Sequence, residues 1–406
     1  MEWKNEPLGE IAFMTSGGTP SKKCAEYYTN GLIPWVRSGE LENRAIRDTE
    51  IKITQTGLEN SSAKIFPKGT LLIALYGATI GKLAYLDIDA CTNQAICGIF
   101  ENPKVSLKYL YYYLFFYRPD LVKQGIGGAQ PNISQAILKK LMVHYPIDKS
   151  EQDRIVSRIE ELFSELDSGV ETLKTVKAQL EVYRQAVLKE AFQKVQAISK
   201  VLPFDEILTN IESGKSFKCE ERPPKSNEYG IIKVSAVTWG VYNEDESKTC
   251  PESLFLRCKQ IRVGDFLFSR ANTLELIGNC VVVDRVYKNL MLSDKILRFS
   301  FSEDIDPKYV MFFLRTPEGK KQIRSYSTGN QESMRNIGQD RIRKIRIPIC
   351  SLPNQKKAVE EIEFRLAVCK EIEQTVDTAL QQAKALRQSI LKKAFEGKLL
   401  KYDGSY

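Results

Sequence analysis

Two stretches of the chain share one hydrophobic rhythm. Between residues 151 and 196, steps of three and four pick out Ile159, Leu162, Leu166, Gly169, Leu173, Val176, Leu180, Tyr183 and Val187. Between 351 and 398 they pick out Val359, Ile362, Leu366, Cys369, Glu373, Val376, Leu380, Ala383, Arg387 and Ile390. This is the seam of a coiled coil, and Glu, Lys, Gln and Arg fill most other positions. At 1.5 Å per residue each helix is a rod of roughly 60 Å. A small domain cannot bury so long a stripe, so each helix needs a partner of its own length. The chain supplies one. Ile159, Leu162, Leu166, Leu173 and Leu180 are expected to face Ile362, Leu366, Leu380 and Ile390 across that seam. The first rod leads from one unit to the next and the second runs onward, so pairing would be antiparallel, with approximate two-fold symmetry. Ser150 and Asn354 are the expected N-caps.

The rods close two copies of one longer unit. GEIAFMTSG (9–17) answers DEILTNIESG (205–214), and GLIPWVRS (31–38) answers GIIKVSAV (230–237). FPKGTLLIALYG (66–77) answers IRVGDFLFSRAN (261–272), and LKYLYYYL (107–114) answers PKYVMFFL (307–314). NISQAILKKLMVHYP (132–146) answers NIGQDRIRKIRIP (336–348), which places Pro146 and Pro348 together at the end of each unit. Within a unit, short apolar runs punctuated by Gly read as buried strands at 71–76, 82–86, 266–269 and 280–283. The aromatic run 109–117 and its partner 309–314 read as core helices. The fold class is therefore α/β (α+β), with two β-rich globular domains, each followed by a long helix. The expected boundaries are 1–150, 151–196, 197–350 and 351–398, with 399–406 as a frayed tail and 194–202 as a link.

Composition narrows the class. At 43% hydrophobic residues, the chain can bury sizeable cores. No apolar run reaches the ~18–20 residues of a membrane span, and the polar start MEWKNEPLGE is unlike a signal peptide. Nine cysteines without CxxC spacing read as reduced thiols of a cytoplasmic protein. The net charge of +8 is compatible with a polyanionic partner.

A search for catalytic chemistry returns little. The one histidine, His144, has only a plain residue opposite it in the repeat, which suits packing. GATIGKL (77–83) is one residue short of a phosphate loop and lacks the hydroxyl that would hold magnesium. No metal-ligand cluster or dinucleotide fingerprint is present. Binding is better supported. Both units are mildly basic, and residues 315–346 carry Arg315, Lys320, Lys321, Arg324, Arg335, Arg341, Arg343, Lys344 and Arg346 against three acidic residues. Positions shared by the two units are scaffold types, whereas the loops beside them differ in chemistry. Two copies of one frame with different loops should read two different things. A competing reading is a non-enzymatic structural or adaptor protein whose coils and globular units bind protein.

SGGTPSKKCAEYYTNGLIPWVRSGEL (16–41), LYGATIGKLAYLDIDACTNQAICGI (75–99) and ILKKAFEGKLL (390–400) resemble the specificity subunit of type I restriction-modification systems. That resemblance covers essentially the whole chain. It implies a DNA-recognition subunit without catalytic activity, reading a bipartite, asymmetric duplex site. It implies methyltransferase subunits, two copies being expected, docked through the helices, and translocating restriction subunits in the full complex. S-adenosylmethionine, ATP and Mg would belong to those partners and no cofactor to this chain. The second unit departs from the first: Ser293-Asp294-Lys295 stands opposite Thr92-Asn93-Gln94, and no GTP follows Gly214. Residues expected near DNA are Arg37, Ser38, Tyr76, Thr79, Lys82, Gln130 and Asn132 in unit one. In unit two they are Lys233, Ser235, Arg270, Asn272, Thr273, Gln331, Arg335 and Asn336.

Overall fold

The computed structural model describes residues 2–125 and 132–400. It divides into two compact units, one formed by residues up to Leu173 together with those from Thr378 on, the other by Lys174–Asp377. The long helices span Lys149–Gln196 and Leu352–Phe395, so each contributes to both units.

In unit one the central strands Leu71–Ala74 and Ile96–Ile99 are buried along their whole length. Their alternation divides two cores. Leu71, Ile73, Cys97 and Ile99 face the aromatic helix Leu107–Lys123, while Leu72, Ala74 and Ile96 face Val36, Leu41 and Phe66. A strand buried on both faces reads as a continuous apolar run, as this one does. The five-stranded sheet runs Met14–Ser16, Ile96–Ile99, Leu71–Ala74, Leu83–Leu86, Ala45–Ile46. A four-stranded sheet runs Lys52–Ile53, Ile33–Val36, Ala90–Thr92, Ile65–Phe66. Unit two repeats this plan with Leu208–Ser213, Ile296–Phe301, Phe266–Ser269 and Cys280–Val282 in one sheet, and Ser247–Cys250, Tyr229–Ile232 and Asn289–Met291 in another. Each unit also closes on a two-stranded antiparallel ribbon, Trp3–Pro7 with Met142–Pro146 and Lys200–Pro203 with Arg346–Ile349.

The repeated helix endings are explained by what they touch. In unit one Phe395 packs edge-on against Tyr109 and Tyr113 at 5.4 and 5.0 Å. In unit two Phe192 packs against Tyr309 and Phe313 at 4.9 and 5.4 Å. Burying such a side chain is worth about 1.5–3 kcal/mol. The aromatic runs are thus core helices.

Within unit two the long helices pair antiparallel: Lys177 with Asp377 at 2.6 Å, Arg184 with Glu373 at 2.6 Å, and Lys194 with Glu361 at 2.7 Å. Within unit one Arg387 pairs with Asp167 and lies 4.5 Å over the Phe163 ring. Ile159, Leu180, Ile362 and Ile390 are buried, and Leu162, Leu166, Leu173, Leu366 and Leu380 are half-buried.

Four local expectations are corrected. The first long helix is capped by Asp148, whose carboxylate accepts from the Ser150 amide at 2.9 Å and the Ser150 hydroxyl at 2.7 Å. Its negative charge suits a helix N-terminus. The second helix starts at Leu352, ahead of Pro353, because proline in a first turn forfeits no hydrogen bond; Asn354 therefore lies inside the helix. The link between units is shorter than 194–202, since Val195 is buried and Lys200–Pro203 is a strand. The tail is not frayed from its start: Leu399 is buried in unit one, and Gly397 lies against Trp3.

His144 stacks on Trp3 with ring centroids 4.6 Å apart. On the same ribbon Glu6 bonds Lys4 at 2.5 Å, the Tyr145 hydroxyl at 2.7 Å and Lys104 at 3.1 Å, which lowers its pKa to about 2. A depressed carboxyl stabilises the fold above its unfolded pKa and loses that contribution as pH falls through the folded one. Unit one should therefore lose stability between pH 4.5 and about 2, and urea titrations of Glu6→Gln should show a flatter dependence across that window.

Candidate nucleic-acid interface

Backbone hydrogen bonds align the two units residue by residue. Ile133 N donates to Leu75 O and Ile337 N to Arg270 O, both at 2.9 Å; Leu75 N donates to Ala95 O and Arg270 N to Lys295 O. Leu75 therefore answers Arg270, and Ala95 answers Lys295. Gly81 N bonds Ala74 O as Gly278 N bonds Ser269 O, so the intervening turn is two residues longer in unit two. In the parallel pairs, Trp35 meets Cys91 and Ile231 meets Met291, which sets Arg37 opposite Lys233. Leu141 O and Ile345 O each accept from the residue that opens the first short helix, at 2.8 Å.

This register corrects the sequence matches in three places. GLIPWVRS is displaced by three residues against GIIKVSAV. Pro348 answers His144 rather than Pro146, and the Tyr109 and Tyr309 hydroxyls accordingly bond His144 O and Pro348 O, each at 2.8 Å. Asn93 answers Ser293, since Ile96 N bonds Asn93 O as Ile296 N bonds Ser293 O. Glycine and proline drew the first two of these matches, whereas loop lengths set the true offsets.

The absent GTP after Gly214 is then a substitution within one device. A Cβ on Gly17 would lie 2.2 Å from Thr92 O, and one on Gly214 would lie 1.9 Å from Leu292 O, so only glycine fits either close approach. Two residues on, the Thr19 hydroxyl contacts Gln94 and the Ser216 hydroxyl contacts Asp294.

In each unit the expected contact residues fall into two groups. In unit one Arg37 and Ser38 line a cleft of about 1210 Å³ with Glu42, Arg44, Asp48 and Asn93. Arg37 is not a free cation: its Nε lies 3.3 Å from Glu40, and its other end contacts Glu50. Tyr76, Thr79, Lys82 and Asn132 gather at the neighbouring turn, where Tyr76 bridges Asn132 and the Thr79 hydroxyl bonds Tyr76 O at 2.8 Å. Tyr76 and Asn132 are exposed. Gln130 lies outside the described residues.

In unit two Lys233 and Ser235 line a cleft of about 550 Å³ with Lys248, Ser293, Asp294 and Lys295. Lys233 lies 3.7 Å from Glu221, and the Ser235 hydroxyl bonds Glu246 at 2.6 Å. The remainder collect on a small sheet in which Met334–Asn336 lies between Ala271–Asn272 and Thr328–Gln331. Gln331 and Asn336 are exposed there. Asn272 accepts from the Thr273 amide at 2.9 Å. Among the described residues the Arg270 guanidinium has no hydrogen-bond or ion-pair partner, and it is half-buried beside this sheet.

Arg335, unlike Arg270, is bonded within its own unit. Its guanidinium bonds Gly329 O at 2.7 Å, Ser327 O at 2.8 Å and Ser327 Oγ at 3.0 Å, so it ties its own hairpin together. Arg335→Ala should loosen the hairpin by about 1.5–3 kcal/mol, the worth of one hydrogen bond to a charged group. Faster amide exchange across 328–336 would register it, and unchanged exchange would assign the arginine elsewhere. The rest of the basic run is also partly committed. Arg315 is held at 2.8 Å by Gly240 O and Cys280 O, and its burial lowers its pKa. Arg343 pairs with Asp205 at 2.8 Å, and Arg341 bonds Tyr326 O at 3.1 Å. Lys321, Arg324 and Lys344 stay exposed.

Reading the sequence missed Asn93 and Ser293 as individual positions, although both lay inside segments it singled out. Only the register shows that they coincide.

The family model of the type I restriction modification DNA specificity domain matches residues 1–181. Over 424 aligned residues the chain is 26% identical to the EcoKI specificity subunit of Escherichia coli K12, covering 98% of this chain and 89% of that one. Identity to the MjaIX specificity subunit of Methanocaldococcus jannaschii is 30% over 363 residues, covering 76% and 83%. The fold matches a chain solved in work on complex assembly and conformational transition of the type I R-M system, with a TM-score of 0.77, 18% identity and 98% of both chains covered. With the same frame built twice and the family's sequence running the length of the chain, the protein belongs to the specificity subunits of type I restriction enzymes.

Proposed function

We propose that this chain reads a bipartite, asymmetric DNA site, one half with each unit, and carries no catalytic activity of its own. Methyltransferase subunits, two copies in this reading, dock on its long helices. Restriction subunits join that complex, and S-adenosylmethionine, ATP and Mg belong to those partners. The observation that carries the reading is the duplicated frame: matching backbone bonds at Asn93 and Ser293 hold different side chains in clefts of different lining. Identical frames with identical side chains would read a symmetric site; these would not. Base edges in the major groove are distinguished by just such donor and acceptor differences.

Transplanting residues 1–150 from a relative of different specificity is expected to change one half-site and leave the other intact. Methylated-base mapping in cells carrying the hybrid measures this, and a change in both halves would overturn the assignment of one half-site per unit. The logarithm of the assembled complex's affinity for DNA should also fall linearly with log salt, through release of counterions from the phosphates.

A further inference from the structure

Among the described residues, four buried side-chain polar atoms have no hydrogen-bond partner, and two of them occupy the same place in the two units. These are Asn93 Oδ1 and Ser293 Oγ. Buried polar atoms are almost always paired, so each such atom calls for a physical account, and unpaired atoms at matched positions call for a shared one. Both backbones are pinned: Asn93 N bonds Val36 O at 3.0 Å, while Asn93 O and Ser293 O accept from Ile96 and Ile296. Both side chains line their unit's cleft. Both have the same neighbours in kind. A cation lines the same cleft, Arg37 or Lys233, and the next residue is gripped by a hydroxyl, Thr19 on Gln94 or Ser216 on Asp294. What differs is the group on offer, an amide in unit one and a hydroxyl in unit two.

We infer that Asn93 and Ser293 are the paired specificity-determining positions of the two units, each turning its buried, unpartnered polar group from the cleft wall towards a base edge when DNA binds, directly or through one water. An amide can give and accept at once, as adenine N6 and N7 require, whereas a serine hydroxyl makes a single bond to several bases. Water can carry such a contact without loss of specificity. The inference rests on the DNA-reading function proposed above.

The test uses the full chain assembled with its methyltransferase subunits and a duplex library randomised across the site, with methylation as the readout. Wild type, Asn93→Ala, Asn93→Asp and Ser293→Ala are compared, and thermal unfolding is followed in parallel. Asn93→Ala should relax preference at one base pair of one half-site by about 5- to 150-fold. Asn93→Asp keeps size and acceptor but loses the amide donor, so it should switch that preference instead of relaxing it. Ser293→Ala should relax one base pair of the other half-site. Melting temperatures should hold within a degree or two, because no protein bond is lost. If the wild type shows no sequence preference, the proposed function falls and this inference with it. If the wild type is selective and both alanine variants keep every preference within about twofold, the inference alone falls. A drop in melting temperature with unchanged preference would likewise assign these groups to internal, water-filled structure.

Discussion

Replacing Arg298 by methionine is expected to destabilise unit two by about 3–5 kcal/mol, the usual cost of removing one partner from a buried ion pair. Arg298 threads between two carboxylates and two carbonyls. It bonds Asp265 at 2.9 Å, Glu212 Oε2 through Nε at 2.8 Å, Gln260 O at 2.9 Å and Cys258 O at 3.2 Å. The side chains of Arg298 and Asp265 are 14% and 15% exposed, so water cannot replace the lost guanidinium. Burial works against the Glu212 carboxylate, and Arg298 together with Lys259 and Arg262 outweighs it, leaving the pKa below the ordinary value. The network therefore stabilises most above the carboxylate range and weakens as pH falls. Urea unfolding at neutral pH should show the full loss, and at pH 4 a smaller one. Adding Glu212→Gln and Asp265→Asn to the methionine variant should recover part of it, because the stranded charges are then gone. Unit one solves the same position differently: Gly98 stands there, and a Cβ on it would lie 2.8 Å from the Phe66 ring.

Gln152→Leu and Gln355→Leu should each cost about 3 kcal/mol or more, since burying one unpaired polar group costs about 1–3 kcal/mol and each variant leaves three. The two glutamines make one clamp twice. Gln152 Oε1 accepts from Ser106 N at 2.8 Å, and its Nε2 donates to Lys104 O at 3.0 Å and Pro146 O at 2.8 Å. Gln355 repeats this with Asp306 N at 2.9 Å, Asp304 O at 3.0 Å and Cys350 O at 2.8 Å. Both side chains are fully buried. Each joins the first turn of a long helix to the strand before it and the loop ahead of the aromatic helix. Glutamate should be worse than leucine, because its carboxylate would face two carbonyl oxygens. Thermal unfolding of the three side chains at each position would rank them, and a benign glutamate would refute the clamp.

The seam of the long helices, the buried strands and the aromatic core helices were legible because each is a local property. Hydrophobic period reports which face is buried before anything is known of what buries it. The apolar run 71–76 beside glycine reads as a buried strand, which the fold ends at Ala74, and Ile159 and Ile362 read as seam from spacing alone. That the chain repeats was legible for the same reason, since turn glycines and apolar runs recur in order.

Tertiary structure alone decided which charges are free and which positions correspond. Arg335 and Arg270 look alike in sequence, yet one is spent on Ser327 and Gly329 while the other has no partner among the described residues. The difference depends on a hairpin bend eight residues away, and for Arg343 on Asp205, 138 residues away. The cap at Asp148 rather than Ser150 depended on where the preceding strand released the chain. The pairing of Asn93 with Ser293 needed backbone hydrogen bonds, because unequal loops shift the numbering between units by 195 at one strand and by 204 at another. By itself the sequence determined that one frame is built twice and which faces it buries, because burial is written in local periodicity. What each copy leaves unpaired for a ligand was decided by the fold, because a hydrogen bond is satisfied or stranded only by atoms that folding brings within about 3 Å.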